Sequence, residues 1–137
     1  MTSLILVAHG KLAVETKASL EMIYGTCPQV SCTTFLPSEG FETVRDKIID
    51  ALPRTGEVLI LADLFGGTPF NAACAIAMGE RARAVEVISG MSLPLVLEAV
   101  SLSRDLDARC MAERLVEAAK FVVRRFVPEV VGDDDDL

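Results

Sequence analysis

Residues 4–8 and 58–62 are short runs with no polar side chain, and both are rich in branched residues. A strand with one wet face alternates apolar and polar positions. A strand that is apolar throughout has to be covered on both faces, as inside a parallel sheet. Parallel neighbours need long crossover connections, and the stretches between the runs carry helical patterns that supply them. Residues 11–24 place Val14, Ala18 and Met22 at helical spacing and stop at Gly25. Residues 30–36 are β-prone but interrupted by Ser31, Cys32, Thr33 and Thr34, which suits a more exposed strand near a sheet edge. Phe41, Val44, Ile48, Ile49 and Leu52 make a second helical stripe, closed by Pro53 and Gly56.

The second apolar strand spans 57–63. After the loop 64–68, Thr68 is expected to cap a helix that opens at Pro69, because proline suits the first helical position. Residues 84–89 form the next strand, and Ser92 caps a helix bearing Leu93, Val96, Leu97 and Val100. Residues 108–127 carry two signals. Met111, Leu115, Ala118 and Val122 have helical spacing, while 121–127 are β-branched and aromatic, so the expectation is a helix with or without a short final strand. The alternation predicts a doubly wound α/β domain: an open parallel sheet with right-handed crossovers and helices on both faces. Placing the two most apolar strands centrally gives the order 2-1-3-4. Ligands in such sheets sit beyond the carboxyl ends of the strands where the winding reverses, which here falls between His9 and Asp63.

Composition narrows the function. At 137 residues and 51% hydrophobic content, residues 1–127 are expected to form a single domain. Residues 128–137, with Gly132 and four aspartates, are expected to be a disordered acidic tail. Thirteen basic and twenty acidic side chains leave a net charge of -7, so there is no basic field for nucleic acid. The mean hydropathy of +0.42 is high, yet each apolar run is far below the ~20 residues of a membrane span. The first run lacks a basic start and meets His9 and Lys11, unlike a secretory signal, which places the protein in the cytoplasm. Cys27, Cys32, Cys74 and Cys110 form no C-x-x-C pair and have no histidine at zinc-site spacing. They read as buried, reduced thiols, and neither a metal nor a cofactor is expected.

His9, the only histidine, stands at the end of the first strand and before a glycine. Asp63 occupies the equivalent end of the neighbouring strand, from which a carboxylate can hold one imidazole N–H and leave the other nitrogen neutral and outward. Gly66, Gly67, Thr68 and Pro69 lead into a helix N-terminus, whose free N–H groups and dipole favour an anion. Each feature alone has a plain structural reading as a satisfied histidine, a loop cap or a tight turn. Together they put a nucleophilic nitrogen and an anion cradle in one crevice.

These residues carry a family resemblance. Residues 4–10 (LILVAHG), 61–73 (LADLFGGTPFNAA) and 87–94 (VISGMSLP) resemble the EIIA domains of the mannose class of the bacterial phosphoenolpyruvate-dependent sugar phosphotransferase system, over residues 4 to about 126. The resemblance implies that His9 accepts a phosphoryl group from the phosphocarrier HPr and passes it to an EIIB component, and through it to membrane EIIC and EIID. Asp63 matches the carboxylate beside the histidine, and Thr68 the hydroxyl that helps bind the phosphoryl group. Family members commonly form homodimers that exchange a C-terminal strand, which would account for residues 121–127. Some longer relatives carry a fused EIIB domain, so a separate EIIB partner is expected. Phe65, a large aromatic in the loop beside the site, is the expected partner anchor.

Other readings differ in a residue. A tetrapyrrole metal chelatase also begins with a strand ending in His-Gly, but its site needs a second histidine or a glutamate as ligand or base. A phosphohistidine mutase or phosphatase carries arginine before the histidine, where this chain has Ala8. A regulatory or dihydroxyacetone-linked EIIA-like carrier would use the same chemistry at His9 with a different acceptor.

Overall fold

The computed structural model describes residues 1–129. Four parallel strands, β1 (Ser3–His9), β2 (Val30–Phe35), β3 (Val58–Ala62) and β4 (Val85–Ile88), form one sheet in the order β2-β1-β3-β4. Between and after them run α1 (Leu12–Tyr24), α2 (Phe41–Ala51), α3 (Thr68–Gly79), α4 (Leu93–Leu102) and α5 (Ala108–Ala118). The two fully apolar strands are the central ones, as their lack of a polar face requires. The polar residues of β2 lie at an edge.

The alternation of each central strand feeds two cores. Leu4, Leu6 and Ala8 of β1 and Leu59 and Leu61 of β3 face α1, α4 and α5. Ile5 and Val7, with Ile60 and Ala62, face α2 and α3. The chain therefore winds one way from β1 to β2 and the other way from β3 to β4, which opens a crevice between the carboxyl ends of β1 and β3. Met91 N–H bonds to Ala62 O at 3.0 Å and ties the turn after β4 to the end of β3.

Several local expectations change. β1 extends one residue beyond its apolar run at each end, β2 stops one residue early, and β3 and β4 each lose one residue at both ends of the expected spans. On α1, Val14, Ala18 and Met22 are exposed, Met22 to 88%, and the helix is instead anchored by Ala13 and Leu20. Thr16 and Lys17 lie half-buried between those two anchors, so the covered stripe is small and partly polar, which hydrophobicity alone does not mark. Gly67, not Thr68, is the N-cap of α3, so Thr68 takes the first helical position and Pro69 the second. Ser92 precedes α4 as expected but makes no capping bond. Asp107, by contrast, caps α5 by accepting from Cys110 N–H at 2.8 Å.

The carboxyl end of the chain also departs from its pattern. A 3₁₀ turn at Ala119–Phe121 follows α5, and residues 122–129 form no strand within the single chain, leaving Phe121, Val123 and Phe126 exposed. β4 pairs only β3, so its outer edge is open, and 121–127 does not add to it within one copy. Most of the proposed acidic tail, residues 130–137, lies outside the described residues. All four cysteines are free, but only Cys27 is buried as expected; Cys32 and Cys74 are half-buried and Cys110 is exposed. Burial pushes the Cys27, Cys32 and Cys74 thiols up, and the hydrogen bond to Asp107 does the same for Cys110, so none is activated. Among the described residues no helix is long and apolar enough to cross a membrane.

Candidate phosphoryl-transfer site

His9 is the last residue of β1, and its side chain is 48% exposed at the crevice. Gly10 then takes a φ of 60°, and its N–H bonds to Phe35 O at 2.8 Å, so the chain turns off the sheet without covering the imidazole. Asp63 follows β3 directly. Its Oδ2 accepts two bonds from the same residue, His9 N–H at 3.0 Å and His9 Nδ1 at 2.9 Å. The first fixes the carboxylate against the backbone and the second aims it at the ring. An ionised carboxylate only accepts, so in this pair Nδ1 carries the proton and Nε2 keeps its lone pair.

Nε2 has no protein partner among the described residues. The imidazole is held on one side by the Phe35 ring, edge-on at a centroid distance of 5.5 Å, and on the other by the start of α3. A Cβ on Gly67 would stand 3.1 Å from His9 Cε1 and 3.3 Å from Leu64 O, so a larger residue here would press on the ring. Gly66, at a φ of 81°, makes the preceding turn, and Asn71 Nδ2 donates to its carbonyl at 3.2 Å. The N–H groups of Thr68 and Phe70, in the first turn of α3, have no intrahelical acceptor. They lie at the helix end that Gly67 brings against the ring, where an anion is favoured.

Thus His9, Asp63, Gly66, Gly67 and Thr68 come together as the sequence suggests. Phe65 is 76% exposed, resting against Phe70 at 4.9 Å, so it is not a core residue. Sequence reasoning missed Phe35 and Asn71. Phe35 meets His9 only through the register of an edge strand, which no local pattern reveals. Asn71, four residues after the capping glycine, is a signal that was available. Among the described residues no group of three or more His, Cys, Asp or Glu side chains could hold a metal ion.

The family model for mannose-type EIIA, described as the PTS system fructose IIA component, matches residues 3–119. The chain belongs to this family. This EIIA is 34% identical over 116 residues to the sorbose-specific EIIA component of Lacticaseibacillus casei, covering 83% of each chain. It is 36% identical over 119 residues to the fructose-specific EIIA component of Bacillus subtilis, covering 84% of this chain and 80% of that one. Among solved structures, a phosphotransferase system component EIIA from Streptococcus agalactiae superposes with a TM-score of 0.87 at 27% identity, covering 91% of this chain and 97% of the other. The matched span includes every residue of the site, from His9 to Thr68.

Proposed function

We propose that this EIIA is a cytoplasmic phosphoryl carrier of sugar uptake, charged on His9 Nε2 by phosphorylated HPr and discharged to a histidine of an EIIB component. The observation that carries the reading is the His9–Asp63 pair. One oxygen of Asp63 holds both the backbone and Nδ1 of His9, which leaves Nε2 as a directed nucleophile beside the free N–H groups of α3. In the transfer, the Nε2 lone pair forms a bond to phosphorus as the donor's N–P bond breaks, and the donor histidine recovers that electron pair. The positive charge that develops on the ring is balanced by Asp63, so no proton has to leave before attack. The Thr68 hydroxyl and the first N–H groups of α3 donate to the equatorial oxygens. The reverse step toward EIIB uses the same contacts.

The whole of residues 1–127 serves as one EIIA unit in this reading. Phe65 contributes an apolar anchor to the face that receives HPr and EIIB, since a ring so exposed at the rim can be buried only by a partner. The exposed, apolar segment 121–127 is covered in a homodimer, where it pairs with a sheet edge of a second copy. The reading is tested by incubating the protein with phosphoenolpyruvate, enzyme I and HPr and weighing it intact. One phosphoryl group is expected on the native protein and none on His9→Ala. A phosphorylated alanine variant would remove His9 from the mechanism.

A further inference from the structure

Among the described residues two buried polar side-chain atoms, Asp63 Oδ1 and Ser92 Oγ, have no hydrogen-bond partner. They belong to neighbouring parts of the fold. Asp63 is the residue after Ala62 and Ser92 the residue after Met91, and the Met91 N–H bond to Ala62 O, at 3.0 Å, ties those two positions together. Asp63 also continues the odd-numbered row of β3, in which Leu59 and Leu61 face the layer that contains α4. Ser92 stands at the start of α4, just ahead of Leu95 and Val96 in that same layer.

The hydroxyl is not committed to its helix. A serine at this position ordinarily accepts from the second or third N–H of the helix. The second residue is Pro94, which has no N–H, and no bond to the third is made. The two orphaned atoms are chemically complementary, because a hydroxyl can donate and a carboxylate oxygen can only accept. Leaving both unpaired in a buried setting is costly, and joining them removes both penalties.

We propose that Ser92 is a positioning residue of the site, its O–H donating to Asp63 Oδ1 after rotation about the Cα–Cβ bond or through one bridging water. The inference rests on the reading of His9 as the reactive group. With Oδ1 fastened toward α4, the carboxylate cannot swing, and Oδ2 stays on the backbone N–H and Nδ1 of His9. Ser92 would thus act on the nucleophile at one remove, by keeping its proton on Nδ1.

The test is the tautomer of His9 in the unphosphorylated protein, read from imidazole nitrogen shifts by NMR at one fixed pH. The native protein is expected to hold the proton on Nδ1. In Ser92→Ala the fraction with the proton on Nε2 is expected to rise at least ~3-fold, as for loss of a hydrogen bond to a charged group, with a matching fall in the rate of phosphoryl uptake. Ser92→Thr, which keeps the hydroxyl, restores both, and Ser92→Cys, with a weak donor of similar size, falls between. An unchanged tautomer ratio in Ser92→Ala, with or without a lower melting temperature, would overturn the proposal and make the hydroxyl a part of the α4 terminus. A shift as large in Ser92→Thr as in Ser92→Ala would overturn it as well, since packing alone would then be responsible. Because the tautomer is measured without any phosphoryl donor, a shift in a protein that takes up no phosphoryl group would leave the positioning role standing and remove the carrier role instead.

Discussion

Gly67→Ala separates the position of the imidazole from the stability of the fold. Gly67 has a φ of -73° and a ψ of 166°, which any residue adopts, so alanine meets no backbone strain there. What it meets is contact, at 3.1 Å from His9 Cε1 and 3.3 Å from Leu64 O. Carbon atoms prefer about 3.5–4.0 Å, so something has to give by roughly half an ångström. The Leu64 carbonyl already accepts from Gly67 N–H at 3.1 Å and is part of a closed turn, whereas the imidazole is a side chain at the open end of a crevice. The ring therefore moves, and its 2.9 Å bond to Asp63 is stretched or tilted. A misplacement of about 1 Å can cost ~10²-fold in rate, so half of that predicts about a 10-fold slower phosphoryl uptake. Stability should change little. The smaller unfolded ensemble of alanine contributes about 0.4–1 kcal/mol, and a similar loss comes from alanine being a poor N-cap. Gly66→Ala makes the contrast, because it meets no neighbour but must hold a φ of 81°. It should cost about 1–2 kcal/mol of stability, seen in denaturant melts, with a smaller effect on the ring. Rates of uptake from phosphorylated HPr, with His9 ring signals by NMR, decide the matter. A Gly67→Ala protein with native kinetics and unmoved His9 signals would show that the start of α3 is not a wall of the site.

Asp63→Asn keeps the shape of the side chain but can donate to Nδ1 and stabilise the wrong tautomer. It should fold normally and transfer at least ~10²-fold more slowly in rapid-quench assays, and a rate within a few-fold of native would reduce Asp63 to a loop cap. Phe65→Ala should weaken transfer through a higher KM for HPr with an unchanged melting temperature, because the ring is 76% exposed and outside the core. Lower stability with native kinetics would refute the anchor. Light scattering at micromolar concentration should give the mass of a dimer, and truncation after Lys120 should give a monomer. A native monomer would leave 121–127 without its proposed partner.

The sequence by itself determined the frame and the reactive group. Residues 4–8 and 58–62 have no polar face, and burial on both sides leaves them the central positions of a parallel sheet, from which the order β2-β1-β3-β4 follows. One histidine at one of those strand ends, an aspartate at the other and a glycine pair before a helix were legible because each is local in sequence. The tertiary structure decided what depends on distance between elements. It selected the Ala13 and Leu20 face of α1 over the more apolar Val14 and Met22 face, because the sheet lies on that side. It brought Phe35 to His9 through the register of β2, set Gly67 rather than Thr68 at the cap of α3, and placed Ser92 beside the end of β3. Periodicity records which residues share a face of one element, whereas register, cap geometry and the choice of buried face arise only when that element meets another.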